Sequence, residues 1–118
     1  MHEMAITTNV VDAVVKYAQE NNASEVLEVK LVVGELRDIV DSLTQGAFRF
    51  LARGTVAEHA TLTIQKVPLR ARCNECNVVF PAQIRKPETL VCPDCGNTKL
   101  SIHNGKEFLI ESIKIETK

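Results

Sequence analysis

The chain has 118 residues, 45% of them apolar and 25% charged, and its 14 basic and 15 acidic side chains leave a net charge of -1. This is the balance of one compact unit, or of a small domain with an appendage, able to bury roughly two-thirds of its unfolded surface. It excludes a disordered chain and one that holds nucleic acid by a global positive field. The opening residues MHEMAITTNV have neither the basic nor the apolar segment of a leader, and no apolar run approaches bilayer length, so the expected location is the cytoplasm.

In chain order, Ile6, Val10, Val14, Tyr17 and Ala18 repeat at helical spacing and predict a helix over 5–21, stopped by Asn21-Asn22. Residues 26–33 alternate, with Leu27, Val29, Leu31 and Val33 opposite Glu28 and Lys30, and read as a strand ended by Gly34. A second helix over 39–52 takes Leu43, Ala47, Phe48, Phe50 and Leu51 as its apolar side and closes at Arg53-Gly54. Residues 61–67 form another strand, with Leu62 and Ile64 inward. Asn104-Gly105, between short strand patterns at Leu100/Ile102 and Phe108/Ile110, predicts a type I′ hairpin. Residues 108–115 are apolar enough for a core strand. The expected fold is α+β: two helices on one face of a small, about three-stranded sheet, from 1–68 plus 106–118, with a module of 69–105 inserted before the last strand.

That module holds all four cysteines, three of the four prolines and few large apolar residues. The pattern is Cys73-x2-Cys76, fifteen residues, then Cys92-x2-Cys95. Two-residue gaps let each pair clamp one side of a tetrahedron, and Asn77 and Gly96 tolerate the positive φ of the knuckle that follows. Structural zinc is the expected occupant, with iron in a rubredoxin-like site as the alternative. Binding energies of roughly 10–16 kcal/mol for such sites exceed what so sparse a module gains by burial. Four thiolates leave no open coordination position, so the role is architecture. Five basic against three acidic residues in 69–105 give +2, which a zinc tetrathiolate of about -2 cancels; nucleic acid is not an expected partner.

His2 directly follows the initiator Met. The Met1 α-amine, the His2 amide nitrogen and the His2 Nδ1 close a five- and a six-membered chelate ring, and Glu3 supplies a further donor. Such nitrogen-rich, near-planar sites suit Ni(II) or Cu(II); a solvated, frayed terminus is the plain alternative. His59 and His103 read as surface residues. No phosphate cradle and no nucleophile elbow occurs, so no enzyme is expected.

Met1-His2-Glu3, Gly34-Glu35-Leu36 after a strand, Gly54-Thr55 after the second helix, and Cys73-x2-Cys76…Cys92-Pro93-x-Cys95-Gly96 occur here in one order. End to end, the chain resembles the HypA-type hydrogenase maturation factors, a nickel metallochaperone family. The resemblance implies nickel as cargo at His2, with Met1 and Glu3 as neighbouring donors, and structural zinc at Cys73, Cys76, Cys92 and Cys95. It also implies a nickel-handling maturation GTPase and the hydrogenase large subunit as partners. An acidic residue after the first strand joins the nickel site in some members; Asp38 and Asp41 both lie there. Histidines beside the ribbon cysteines occur in some members, whereas here Asn77 and Gly96 follow the pairs. The chain is expected to be a monomer or weak homodimer, away from membranes. The competing reading is a zinc-ribbon adaptor that binds nucleic acid or protein without metal transfer.

Overall fold

The computed structural model describes residues 2–118, with the backbone alone at His2. Six strands and two long helices follow in the order α1 (His2–Glu20), β1 (Ala23–Gly34), α2 (Asp41–Ala52), β2 (Thr61–Val67), β3 (Arg70–Cys73), β4 (Val79–Pro81), β5 (Leu100–Asn104) and β6 (Phe108–Thr117). The strands form two sheets of three, ordered β2-β1-β6 and β4-β3-β5. By its contacts the chain divides into two compact units, Met1–Val32 with Ile39–Gln65 and Leu109–Lys118, and Val33–Asp38 with Lys66–Phe108.

In the first unit, Val10, Val14 and Ala18 of α1 and Ala47, Phe48 and Ala52 of α2 are buried with Val26, Val29, Leu31 and Leu62 of the strands. The other face of the sheet is polar. Lys30–Glu111 at 3.2 Å and Lys114–Glu28 at 3.8 Å bridge β1 to β6, and the Ser24 hydroxyl donates to the Glu116 carbonyl. These partners run in opposite directions along the chain, so β6 lies antiparallel to β1. Gln45 Nε2 donates to the Leu62 carbonyl at 2.7 Å and ties α2 to β2. Helix α1 begins three residues earlier than its apolar repeat predicts, at His2. The Thr7 and Thr8 hydroxyls donate back to the carbonyls of Glu3 and Met4, which secures the first turn.

Four residues assigned to the core by periodicity are exposed instead: Tyr17 (41%), Leu27 (44%), Leu43 (49%) and Phe50 (55%). On α2 the inward face is Thr44, Ala47, Phe48 and Ala52. The helix carries more apolar residues than one face accommodates, and Thr44 takes the inward position by donating its hydroxyl to the Val40 carbonyl.

The second unit overturns the predicted hairpin. Strand β5 pairs with β3, setting Ala71 against Ile102 and Cys73 against Leu100, while β6 joins the other sheet. Gly105, at φ +122°, is a crossing point: a Cβ there would lie 2.8 Å from Leu69 Cα. Gly34 packs against it so closely that a Cβ on Gly34 would overlap the Gly105 carbonyl. The Gly34 N–H donates to the Glu107 carbonyl (2.7 Å), the Leu36 N–H to the Gly105 carbonyl (2.8 Å), and the Arg37 Nε to the Lys106 carbonyl (2.8 Å). Residues 33–38 are thus stitched to 105–107. Replacing Gly34 with Ala should destabilise this unit by about 3 kcal/mol through overpacking. Gly46→Ala, where the new methyl meets nothing within 4 Å, should stabilise α2 by up to about 1 kcal/mol. Urea titration of the two variants checks both signs.

Candidate metal centre

Two turns of one design build the cysteine cluster. In the first, which links β3 to β4, the Asn77 N–H donates to the Cys73 carbonyl and the Cys73 N–H to the Val78 carbonyl, both at 2.9 Å. In the second, ahead of β5, the Gly96 N–H donates to the Cys92 carbonyl and the Cys92 N–H to the Asn97 carbonyl, again at 2.9 Å. Asn77 (φ +61°) and Gly96 (φ +74°) supply the left-handed residue each knuckle requires. Cys73 and Cys92 are buried in a small core with Leu69, Ala71, Phe80 and Ala82; Leu36, Val78, Leu90 and Leu100 pack around it. Cys76 and Cys95 are exposed at the rim.

All four Sγ atoms lie within 4.8 Å of one another. The closest pairs run between knuckles, Cys73–Cys95 at 3.5 Å and Cys76–Cys92 at 3.4 Å. A tetrahedral zinc ion with Zn–S bonds of about 2.3 Å requires sulfur separations of about 3.8 Å, so the donor set fits a zinc-ribbon site. Asn97 is a supporting residue that the cysteine spacing does not reveal. Its Oδ1 accepts from the Lys99 N–H at 3.1 Å, and its Nδ2 lies 3.9 Å from Cys73 Sγ.

The thiols differ in acidity. The Cys76 backbone N–H donates to Cys73 Sγ and, against the cost of burial, lowers that thiol to about 6. Cys76 is pushed up to about 12: the Val78 N–H favours its thiolate, but the Cys92 thiol, burial and the other sulfurs oppose it. Cys95 is raised as well, the help of the Asn97 N–H being outweighed by Cys73 and burial. One thiolate is therefore ready at neutral pH, and a second and third form only against it.

At the N-terminus, Met1 and the His2 side chain lie outside the described residues. Glu3 is half-buried, and its Oε2 accepts a long hydrogen bond, 3.5 Å, from the Val40 N–H at the start of α2. That contact brings the first turns of α1 and α2 together and sets Asp41, the first residue of α2, one residue from the Glu3 partner. Asp38 is exposed, left-handed at φ +52°, and grouped with the ribbon. His59 and His103 are exposed. The cysteines form the one group of three or more His, Cys, Asp or Glu side chains suited to a metal among the described residues.

A family model described as hydrogenase/urease nickel incorporation, metallochaperone, HypA matches residues 1–115. The chain belongs to the HypA family. It is 38% identical over 117 residues to the hydrogenase maturation factor HypA of Caldanaerobacter subterraneus subsp. tengcongensis, covering 98% of this chain and all of that one. To the protein of the same name from Dehalococcoides mccartyi (strain CBDB1) it is 34% identical over 116 residues, covering 98% and 95%. Two solution structures share the fold at 24% identity. One, titled HypA protein, matches with a TM-score of 0.76 over 100% of this chain and 98% of that one. The other, the Ni metallochaperone HypA from Helicobacter pylori, matches with a TM-score of 0.70 over the whole of both chains. The family is one of metallochaperones for nickel incorporation into hydrogenase and urease, and the two-helix, two-sheet fold is shared with both solved structures. No helix among the described residues is long and apolar enough to cross a membrane.

Two predictions follow from the acidity and packing of the cluster. Because Cys76 and Cys95 hold their protons at pH 7.5, binding of Zn(II) to the metal-free protein should release at least about two protons, so affinity rises about 100-fold or more per pH unit. Below pH 6 Cys73 also protonates and the dependence steepens; calorimetry in buffers of different ionisation enthalpy counts the protons. Chelation should expose to hydrogen exchange not only the ribbon amides but also Leu36, whose side chain packs on the ribbon core. The amides of Val14 and Phe48 should keep their protection.

Proposed function

We propose that this HypA-family chain carries Ni(II) on its N-terminus and passes it to the hydrogenase large subunit with the help of a nickel-handling GTPase. The Met1 amine, His2 and Glu3 are the nickel donors in this reading, and Cys73, Cys76, Cys92 and Cys95 hold a structural zinc. The observation that carries it is the Glu3–Val40 contact, which joins the starts of two helices at the proposed donor set. It favours Asp41 over Asp38 as the acidic neighbour, because Asp41 opens the helix whose first N–H groups meet Glu3. The functional modules in this reading are 1–68 with 106–118 for nickel and 69–105 for zinc, acting in the cytoplasm without catalysis.

The helix start at His2 suits the chemistry. The first four N–H groups of a helix have no carbonyl partner within it, so the His2 amide gives up its proton to become a ligand without breaking a backbone hydrogen bond. Each helix start carries about half a positive charge, which opposes a bound dication. The carboxylates of Glu3 and Asp41 offset part of that field. The outcome is a nitrogen-rich site of restrained affinity, from which a partner removes the metal by stepwise ligand exchange. Zinc, enclosed by four thiolates, stays with the ribbon.

His2→Ala, or one residue added before Met1, should abolish stoichiometric Ni(II) binding measured by calorimetry at pH 7.5, while zinc content and circular dichroism stay unchanged. Glu3→Ala should weaken binding by roughly 10- to 100-fold, since its amide survives and its carboxylate supports the site. Wild-type nickel affinity in an extended His2→Ala variant would falsify the N-terminal assignment.

A further inference from the structure

The outer face of α2 has no task in the nickel or zinc chemistry. Leu43 and Phe50 stand out from it, 49% and 55% exposed. Leu43, Gly46 and Phe50 occupy positions i, i+3 and i+7 of this face and, with the buried Ala47 at i+4 as its inner edge, frame a hole for a side chain of a facing helix. Gly46 leaves the hole open, since a Cβ there would meet nothing within 4 Å. Glycine inside an exposed helix costs about 1 kcal/mol relative to alanine, so the opening is kept at the expense of helix stability.

Past Asp41, its first residue, α2 and the turn after it carry charge of one sign. Residues 42–57 contain Arg49 and Arg53 and no acidic residue, in a chain of net charge -1. Arg53 is held in place: its guanidinium lies 4.3 Å from the Phe50 ring centroid and its Nε donates to the Phe50 carbonyl. Neither arginine takes part in an ion pair among the described residues. Glu58, the acid nearest Arg53 in sequence, has its carboxylate engaged by the Gly54 N–H at 3.0 Å.

We propose that the outer face of α2 is a docking surface for an amphipathic helix of a partner protein, one that inserts a large apolar side chain between Leu43 and Phe50 and presents carboxylates to Arg49 and Arg53. The charge selects this occupant. A second copy would set the same unpaired arginines against each other, because this face has no carboxylate to answer them. Two large apolar side chains are also far fewer than the continuous apolar face with which a helix lies in a lipid surface. A helix of twelve residues is about 18 Å long, so the contact is small and the complex short-lived. The surface stands independently of where nickel binds.

The test uses the zinc-loaded full chain and two synthetic amphipathic helical peptides with the same leucine seam, one flanked by Glu and one by Lys, titrated by amide NMR. The Glu peptide should bind with shifts centred on Leu43, Gly46 and Phe50, and the Lys peptide at least about tenfold more weakly. Gly46→Leu should fill the hole and weaken the Glu peptide about tenfold or more, with the fold retained. Arg49→Glu with Arg53→Glu should invert the preference between the peptides. Equal binding of both peptides, shifts centred elsewhere, or full affinity in Gly46→Leu would overturn the proposal. So would self-association lost on Phe50→Ser, which assigns the face to a second copy, or binding to phosphatidylglycerol vesicles lost on the same change, which assigns it to lipid.

Discussion

The ribbon has too little apolar material to hold itself together, and much of the architecture answers that shortage. Its buried core is Leu69, Ala71, Phe80 and Ala82 together with two cysteines, in a unit whose longest strand within the ribbon sheet has five residues. Burial on that scale does not outweigh the chain entropy of so many ordered residues. An ion held by the four thiolates, as proposed, would contribute more than the whole of that core and would also fix the separation of the two knuckles. The same shortage explains why Leu36, from the 3-10 turn Glu35–Arg37 that follows β1, packs on the ribbon core and why Gly34 and Gly105 lack side chains. Only bare backbone lets 33–38 approach closely enough to hydrogen-bond 105–107.

The two metal functions proposed for the molecule ask opposite things of their surroundings. A resident ion is best held by ligands from a closed, symmetric cage, half of them buried, with backbone N–H groups aimed at sulfur. Cargo is best held at an open chain end, among donors that leave one at a time. Nitrogen and carboxylate at the terminus, and sulfur in the ribbon, divide the tasks by chemistry as well as by place. A thiolate-rich terminus would retain its metal rather than release it to a partner.

What the sequence discloses follows how local each signal is. The Cys-x2-Cys knuckles, with Asn77 and Gly96 behind them, are legible because four or five consecutive residues determine the turn. Strands at 26–33 and 61–67 are legible by alternation. The Asn104-Gly105 turn misleads because the glycine does adopt positive φ, yet the strands on either side go to different sheets, and pairing at long range leaves no local mark. Leu43 and Phe50 mislead in another way: hydrophobicity marks a face without stating whether the chain itself covers it. Asp38 and Asp41 lie three residues apart and are indistinguishable by pattern, but one ends a 3-10 turn that belongs with the ribbon and the other opens α2.

The order of the strands also bears on how the protein is made. The first sheet has β1 at its centre, and one of its two neighbours is β6, the last of the six strands described and separated from β1 by the whole ribbon. On the ribosome, the amino-terminal half emerges with both helices and two strands but with one edge of β1 bare, and it stays so through synthesis of the entire ribbon. Contacts this distant in sequence form late, because the intervening loop must be closed first. Closure waits for β6, so this sheet is completed only after the ribbon has been made. A chain that stalls or is clipped before β6 presents a long, apolar, unpaired edge, which is the signature that quality-control proteases and chaperones act upon.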